Sequence, residues 1–170
     1  ILDEILDLSH LESGRVNWVL QDVPLQAVID RALNSAEALI SAAGVRIVQK
    51  MPETPLVVHA DFDRLAQVFI NLITNGISNA PEITIHARRV GKLALIGVID
   101  NGPGIAPHEH MRVFEKFSRL SSETLAGSAG LGLPISREIM RNLHGDLTLE
   151  DNAPGAVFRV SLPLADYAPR

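Results

Sequence analysis

Leu93-Ala-Leu-Ile-Gly-Val-Ile-Asp100-Asn-Gly-Pro-Gly104-Ile105 is the stretch on which the reading of this chain turns. Seven apolar or small residues end in one carboxylate, and a tight Asn-Gly-Pro-Gly turn follows. A short apolar run bounded by turn residues predicts a strand buried on both faces. Such a strand can aim its terminal Asp100 into a pocket, and Gly102 and Gly104 let another group approach the backbone. An ordinary turn-capping Asp fits the same residues. Both readings stay open on this stretch alone.

Working outward, residues 83–89 alternate as a half-buried strand and join residues 93–99 through Gly91-Lys92, which predicts a hairpin. Before it, Asp61 is placed to cap a helix running to about residue 79, with Leu65, Val68, Phe69, Leu72 and Ile73 as its buried stripe. Asn71 and Asn75 share another face of that helix. Each Asn costs about half a kcal/mol of helix propensity against Ala, so a compensating role is expected. Two locally bonded surface amides are the alternative. After the glycine turn, residues 101–129 read as long and irregular, with one helical piece near residues 108–117. A loop of that length in a compact domain is a lid or a disordered segment. Gly130-Leu131-Gly132-Leu133 then opens a helix to about residue 143, with Leu131, Ile135, Ile139 and Leu143 as its stripe. Free N–H groups at a glycine-rich helix start suit phosphate, although glycine there can also serve packing alone.

Towards the ends, residues 1–13 read as the end of an amphipathic helix carrying Ile1, Leu2, Ile5, Leu6, Leu8 and Leu11, stopped by Gly14. Residues 15–22 predict a strand, and Pro24 the first turn of a helix running to Ala43, with Leu39 and Ile40 in its buried stripe. Residues 45–49 and 56–59 are short strand candidates, and residues 147–149 and 157–162 a closing hairpin. The tail from Pro163 reads as a domain end.

Composition bounds the function. The 170 residues suffice for one domain with an aliphatic core, since hydrophobic residues are 46% and aromatics only 4%. A net charge of -5 without a basic cluster argues against nucleic acid as a partner. No apolar run approaches the ~18–20 residues that span a bilayer, so no direct membrane contact is expected. The absence of cysteine excludes disulfides and thiolate metal sites and fits the cytoplasm. The chain begins without Met inside an apparent helix, which reads as a piece of a longer protein.

Taken together, the motifs resemble the ATP-binding domain of two-component sensor histidine kinases, members of the gyrase/heat-shock chaperone/histidine kinase/MutL ATPase superfamily. The matching segments are Asn71-Leu-Ile-Thr-Asn75 (the Asn box), Asp100-Asn-Gly102-Pro-Gly104-Ile105 (the first glycine box), Val113-Phe114-Glu115-Lys116-Phe117 (the Phe box) and Gly130-Leu131-Gly132-Leu133 (the second glycine box). Residues 61–68 and Leu143-His144-Gly145 also fit. Residues 1–14 resemble the end of the second helix of the family's dimerisation bundle, with residues 15–163 as the catalytic domain and 164–170 as a tail or linker.

The resemblance implies an α/β (α+β) fold: a two-layer sandwich of a mixed sheet with helices on one face, with ATP bound between them. It implies that Asp100 accepts from the exocyclic amine of adenine and that Asn75 ligates Mg²⁺. Asn71 would contact metal-bound water or phosphate. Gly102, Gly104 and Ile105 would line the nucleotide, and the N–H groups around Gly130, Leu131, Gly132 and Leu133 would hold phosphates under a lid from Pro107 to Ala129. Arg119 is the candidate γ-phosphate contact, with Lys116 as its alternative. It also implies a homodimer through an upstream bundle and a response regulator receiver domain as partner. Related ATPases such as DNA gyrase carry Glu where Asn71 stands. An amide cannot take a proton from water at neutral pH, so Asn71 favours phosphate transfer to a protein histidine over hydrolysis.

That histidine is expected upstream of Ile1, because none of the six His present sits where the family's acceptor does. His10, His59, His86, His108, His110 and His144 read as structural or solvent-facing. Four departures remove polar contacts: Ser78 where Lys is frequent, Val157 where Thr is frequent, Ser128-Ala129 in the second glycine box, and a short link after the Asn box. A missing charge-assisted phosphate contact costs about 1.5–3 kcal/mol, so a degenerate nucleotide-binding or docking module without kinase activity is the alternative reading.

Overall fold

The alternation in residues 82–90 folds as expected, into the second strand of a five-stranded sheet. In a computed structural model of the chain, which describes residues 2–78, 80–117, 131–151 and 155–169, the elements are α1 (Leu2–Ser13), β1 (Leu20–Pro24), α2 (Leu25–Ser35), α3 (Glu37–Ala43), β2 (Arg46–Lys50), β3 (Val57–Asp61), α4 (Phe62–Ile77), β4 (Glu82–Val90), β5 (Leu93–Asp100), α5 (Gly132–Asn142), β6 (Asp146–Asp151) and β7 (Ala156–Pro163). The main sheet runs β2-β4-β5-β7-β6, and β1 pairs with β3 in a separate two-stranded ladder. β2 lies parallel to β4; the other neighbours in the main sheet are antiparallel. This is the mixed-sheet α/β sandwich that the resemblance implies.

β5 is central, between β4 and β7. Ala94, Ile96, Val98 and Asp100 point into the core, while Leu95 and Ile99 are half-buried on the other face. The expectation of burial on both faces therefore holds fully on one face only. α4 fills the opposite layer with Leu65, Val68, Phe69, Leu72 and Ile73, all at most 1% exposed, and it packs against α2, α5, β4 and β5. Burying each such side chain contributes about 1.5–3 kcal/mol. Asp61 caps α4 as expected: one carboxylate oxygen accepts from Arg64 N at 3.1 Å, the other from Val19 N at 2.9 Å.

Several boundaries differ from the expected ones. The strand expected over residues 15–22 begins only at Leu20, because the ladder with β3 starts at the pair Leu20↔Asp61. Pro24 ends that edge strand, where its missing N–H is tolerated, and precedes the helix instead of lying in its first turn. The long helix to Ala43 breaks at Ala36 (φ -95°, ψ 1°). Beyond the break no residue of α3 is buried, and Leu39 is 54% exposed. Asn34 and Ser35 before the break are residues that compete for backbone hydrogen bonds. The helical piece expected near residues 108–117 is two 3₁₀ turns, Pro107–Glu109 and Arg112–Phe114. In α1 only Leu8 and Leu11 are buried, on the side facing α5; Leu2, Ile5 and Leu6 are exposed. Leu164 and Ala165, in the expected tail, are buried, and Leu164 bridges to Val58.

Candidate functional site

Three elements converge where β5 ends: the C-terminal half of α4, the turn after Asp100, and the first turn of α5. Gly76 explains how α4 comes so close. A Cβ built there would lie 2.9 Å from Ile83 Cδ1 and 3.9 Å from Asp100 Cβ, so a side chain would require the Ile83 methyl to shift. Sequence reasoning passed over Gly76; the signal was its position inside a helix, where Gly costs about 1 kcal/mol against Ala.

Asp100 is buried, 8% exposed, at the end of β5. Its Oδ1 accepts from Gly102 N at 3.0 Å and from Ala156 N at 3.3 Å. Both bonds fall on Oδ1, and Oδ2 has no hydrogen bond among the described residues. Burial pushes the Asp100 carboxyl above its ordinary value of 3.8, and the two backbone N–H groups pull the other way. A carboxylate held this way can accept one further N–H on Oδ2.

The turn behind it is built on glycine. Gly104 has φ +78°, and a Cβ there would stand 2.7 Å from Gly155 O; Gly155 has φ +104°, and its Cβ would stand 1.8 Å from Asp100 O. The Asp100 turn and the start of β7 therefore cross at backbone distance. In the sequence Gly155 falls in the turn of the closing hairpin. Its second contact depends on β5 and β7 being neighbours. Ile105 is half-buried against the core, and its carbonyl lies 2.9 Å from His110 Nε2, so His110 ties the turn to the segment after it.

On α4, Asn71 and Asn75 lie one helical turn apart, a rise of about 6 Å, and both are half-buried. Asn71 Nδ2 donates to Gly132 O at 3.3 Å and to Ser136 Oγ at 3.0 Å. The structure thus brings Asn71 and the second glycine box together. Ser136, fully buried, had no signal of its own in the sequence. Leu131 is buried beside the start of α5, with Gly132 and Leu133 half-buried.

The Phe box is fastened to α5 by a residue the sequence reading did not single out. The Arg137 guanidinium stands 4.5 Å from the centre of the Phe114 ring, with its Nε 3.6 Å from Asp146 Oδ1. Lys116, the alternative γ-phosphate cation, instead pairs with Glu12 of α1 at 2.7 Å. Arg119, Gly130 and Ser128-Ala129 lie outside the described residues. Ser78 Oγ bonds back to Thr74 O at 3.4 Å, and Val157 is buried, so neither supplies a replacement polar contact. No cluster of three or more His, Asp or Glu able to hold a metal ion occurs among the described residues. No helix among them is long and apolar enough to cross a membrane.

The structure thus places a buried hydrogen-bond acceptor at the end of β5 and the Asn71 amide against the start of α5. The chain as a whole is similar to known proteins. Residues 60–166 match the model of the histidine kinase-, DNA gyrase B-, and HSP90-like ATPase family. Sensor protein KdpD of Escherichia coli is 34% identical over 168 residues, covering 96% of this chain and 18% of KdpD. Sensor histidine kinase TrcS of Mycobacterium tuberculosis is 34% identical over 175 residues, covering 98% of this chain and 34% of TrcS. The chain thus spans a minor part of the curated relatives it matches. The crystal structure of full-length ShkA in complex with AMPPNP superposes with a TM-score of 0.83 at 22% identity, over 98% of this chain and 36% of ShkA, a likeness of fold. With well over half its length matched by the family model, this chain belongs to the histidine kinase-, DNA gyrase B-, and HSP90-like ATPase family.

Proposed function

We propose that this chain is the ATP-binding catalytic unit of a sensor histidine kinase. It binds Mg-ATP and transfers the γ-phosphate to a histidine on a dimerisation bundle, from which an Asp of a response regulator takes it. The observation that carries the reading is Asp100: a buried carboxylate whose Oδ1 is held by two backbone N–H groups and whose Oδ2 has no such partner among the described residues. That is the acceptor an exocyclic adenine amine requires. Gly102, Gly104 and Ile105 line the approach to it.

At the other end, the amide oxygens of α4 suit a hard cation. Mg²⁺ is generally held by one or two protein oxygens together with substrate phosphates, which fits a site without a carboxylate cluster among the described residues. Asn75 would hold the ion, and the N–H groups around Leu131, Gly132 and Leu133, with Gly130, would hold the phosphates. Mg-ATP supplies the phosphoryl group and neutralises its charge. Asn71 cannot serve as a general base, because an amide does not take a proton at neutral pH. This favours transfer to a protein nucleophile. Arg119 is the candidate γ-phosphate contact. The reading places the unit on the cytoplasmic side in a homodimer built by the bundle.

Calorimetry with Mg²⁺ and a non-hydrolysable ATP analogue tests the first step; no binding at millimolar nucleotide sinks it. Labelling of a separately supplied bundle histidine by ATP tests the second, with no label expected on this chain alone. A docking module without kinase activity is favoured by two observations only: Ser78 supplies no cation, and Lys116 is engaged by Glu12. Transfer of label from ATP to the bundle histidine removes that reading.

A further inference from the structure

Asn71 stands where the site needs an oxygen, yet an amide has two different ends. One contact decides which end faces α5. Gly132 O is a carbonyl and can only accept, so the Asn71 atom 3.3 Å from it is the nitrogen. The second amide hydrogen goes to Ser136 Oγ at 3.0 Å. Gly132 and Ser136 are four residues apart on α5, so they present both acceptors on one face of the helix. Ser136 is 0% exposed, so water does not compete for its hydroxyl.

We infer that Ser136 is a positioning residue: with the Gly132 carbonyl it holds both amide hydrogens of Asn71 on α5, and so turns Asn71 Oδ1 towards the hydrated metal and triphosphate. The inference deepens the ATP-binding reading and rests on it. Water on Mg²⁺ donates hydrogen bonds, so an oxygen facing it attracts and an –NH₂ group repels. Without the Ser136 hydroxyl the amide keeps one acceptor and can rotate. Outer partners of this kind typically change metal affinity about 10–100-fold when removed.

The experiment uses the whole chain, ¹⁵N-labelled, with Asn71→Ala identifying the Asn71 side-chain amide signals. In the nucleotide-free protein, Ser136→Ala is expected to speed solvent exchange of the Asn71 Nδ2 hydrogens about tenfold or more. Ser136→Thr, which keeps the hydroxyl, restores slow exchange. By calorimetry, Ser136→Ala is expected to weaken binding of Mg²⁺-loaded AMPPNP about tenfold while leaving AMPPNP in EDTA within about twofold of wild type. Unchanged amide exchange in Ser136→Ala overturns the inference. So does an equal loss with and without Mg²⁺, which marks Ser136 as packing alone. If the unsubstituted chain binds no nucleotide, the ATP reading fails while the exchange arm still decides how Asn71 is held.

Discussion

The two ends of the candidate site are built on different principles. Around Asp100, main chain meets main chain: Oδ1 accepts from Gly102 and Ala156, and the turn crosses the start of β7 where Gly104 and Gly155 leave no room for a Cβ. Around Asn71, one side-chain amide links α4 to the first turn of α5. The first end is set by sheet register and can shift only if β5 and β7 shift. The second depends on two hydrogen bonds, each worth about 0.5–1.5 kcal/mol net. A site made this way has a stiff end for recognising one ligand face and a softer end able to rearrange during a reaction.

The largest expected effect breaks the stiff end. Gly155→Ala puts a methyl group 1.8 Å from Asp100 O in a left-handed backbone conformation. Strain and overpacking together should cost about 3 kcal/mol or more, read as a lowered midpoint in urea unfolding. A midpoint unchanged from wild type would mean that the two backbone segments do not cross so closely.

Next comes Asp100→Asn, which separates fold from function at the same place. Loss of a charge-assisted acceptor should weaken adenine nucleotides about 10–100-fold in calorimetry. The fold should gain. Burial raises the folded-state value above 3.8, so the protonated form favours the folded state, and that contribution fades as pH rises from 3.8 through the raised value. At neutral pH the ionised carboxylate is a burden that the amide removes. The stability advantage of Asp100→Asn should therefore open across that window and hold above it, and nucleotide affinity of the wild type should fall as pH drops through it. A variant less stable at pH 7 than at pH 3, relative to wild type, contradicts the assignment.

Arg137→Ala tests the softer end through the Phe box. Deleting the guanidinium over Phe114 should cost about 0.5–2 kcal/mol in stability. A double-mutant cycle with Phe114→Leu should show that most of this belongs to the pair. Additive losses would mean that Arg137 acts through Asp146 instead.

The same contrast explains what could be seen in the sequence. Asp100, its glycine turn, the β4–β5 hairpin and the Asp61 cap all arise from neighbours in the chain, so local pattern and turn chemistry reveal them. Asn71 stands out because Asn is costly in a helix, but its partners are 61 and 65 residues away. Ser136, Arg137 and Gly155 take their roles from packing between elements, and nothing local marks them. The misplaced boundaries have the same origin. β1 starts where β3 can pair with it, and Leu39 is exposed because no element among the described residues covers that side of α3, although its spacing suits a buried stripe. Naming the site therefore needed the order of several motifs along the chain, since each alone admitted a structural explanation.

The smallest expected effect lies where α1 meets the Phe box. Glu12 and Lys116 are 2.7 Å apart with side chains 43% and 50% exposed. Such a pair contributes about 0–1 kcal/mol and is screened by salt, so Glu12→Gln should scarcely alter the unfolding midpoint. Its informative consequence is electrostatic. Lys116 then loses its anionic partner and, in the function proposed above, becomes an unpaired alternative cation for the phosphates, while Asp100 is untouched. At low ionic strength the triphosphate analogue should bind about twofold to fivefold more tightly, in line with a gain below about 1 kcal/mol, and added salt should erase the difference. Adenosine, which lacks phosphate, should bind as it does to wild type. If adenosine tightens equally, α1 acts on the whole site through packing of Leu8 and Leu11 on α5, and the division into a stiff and a soft end does not extend to this helix.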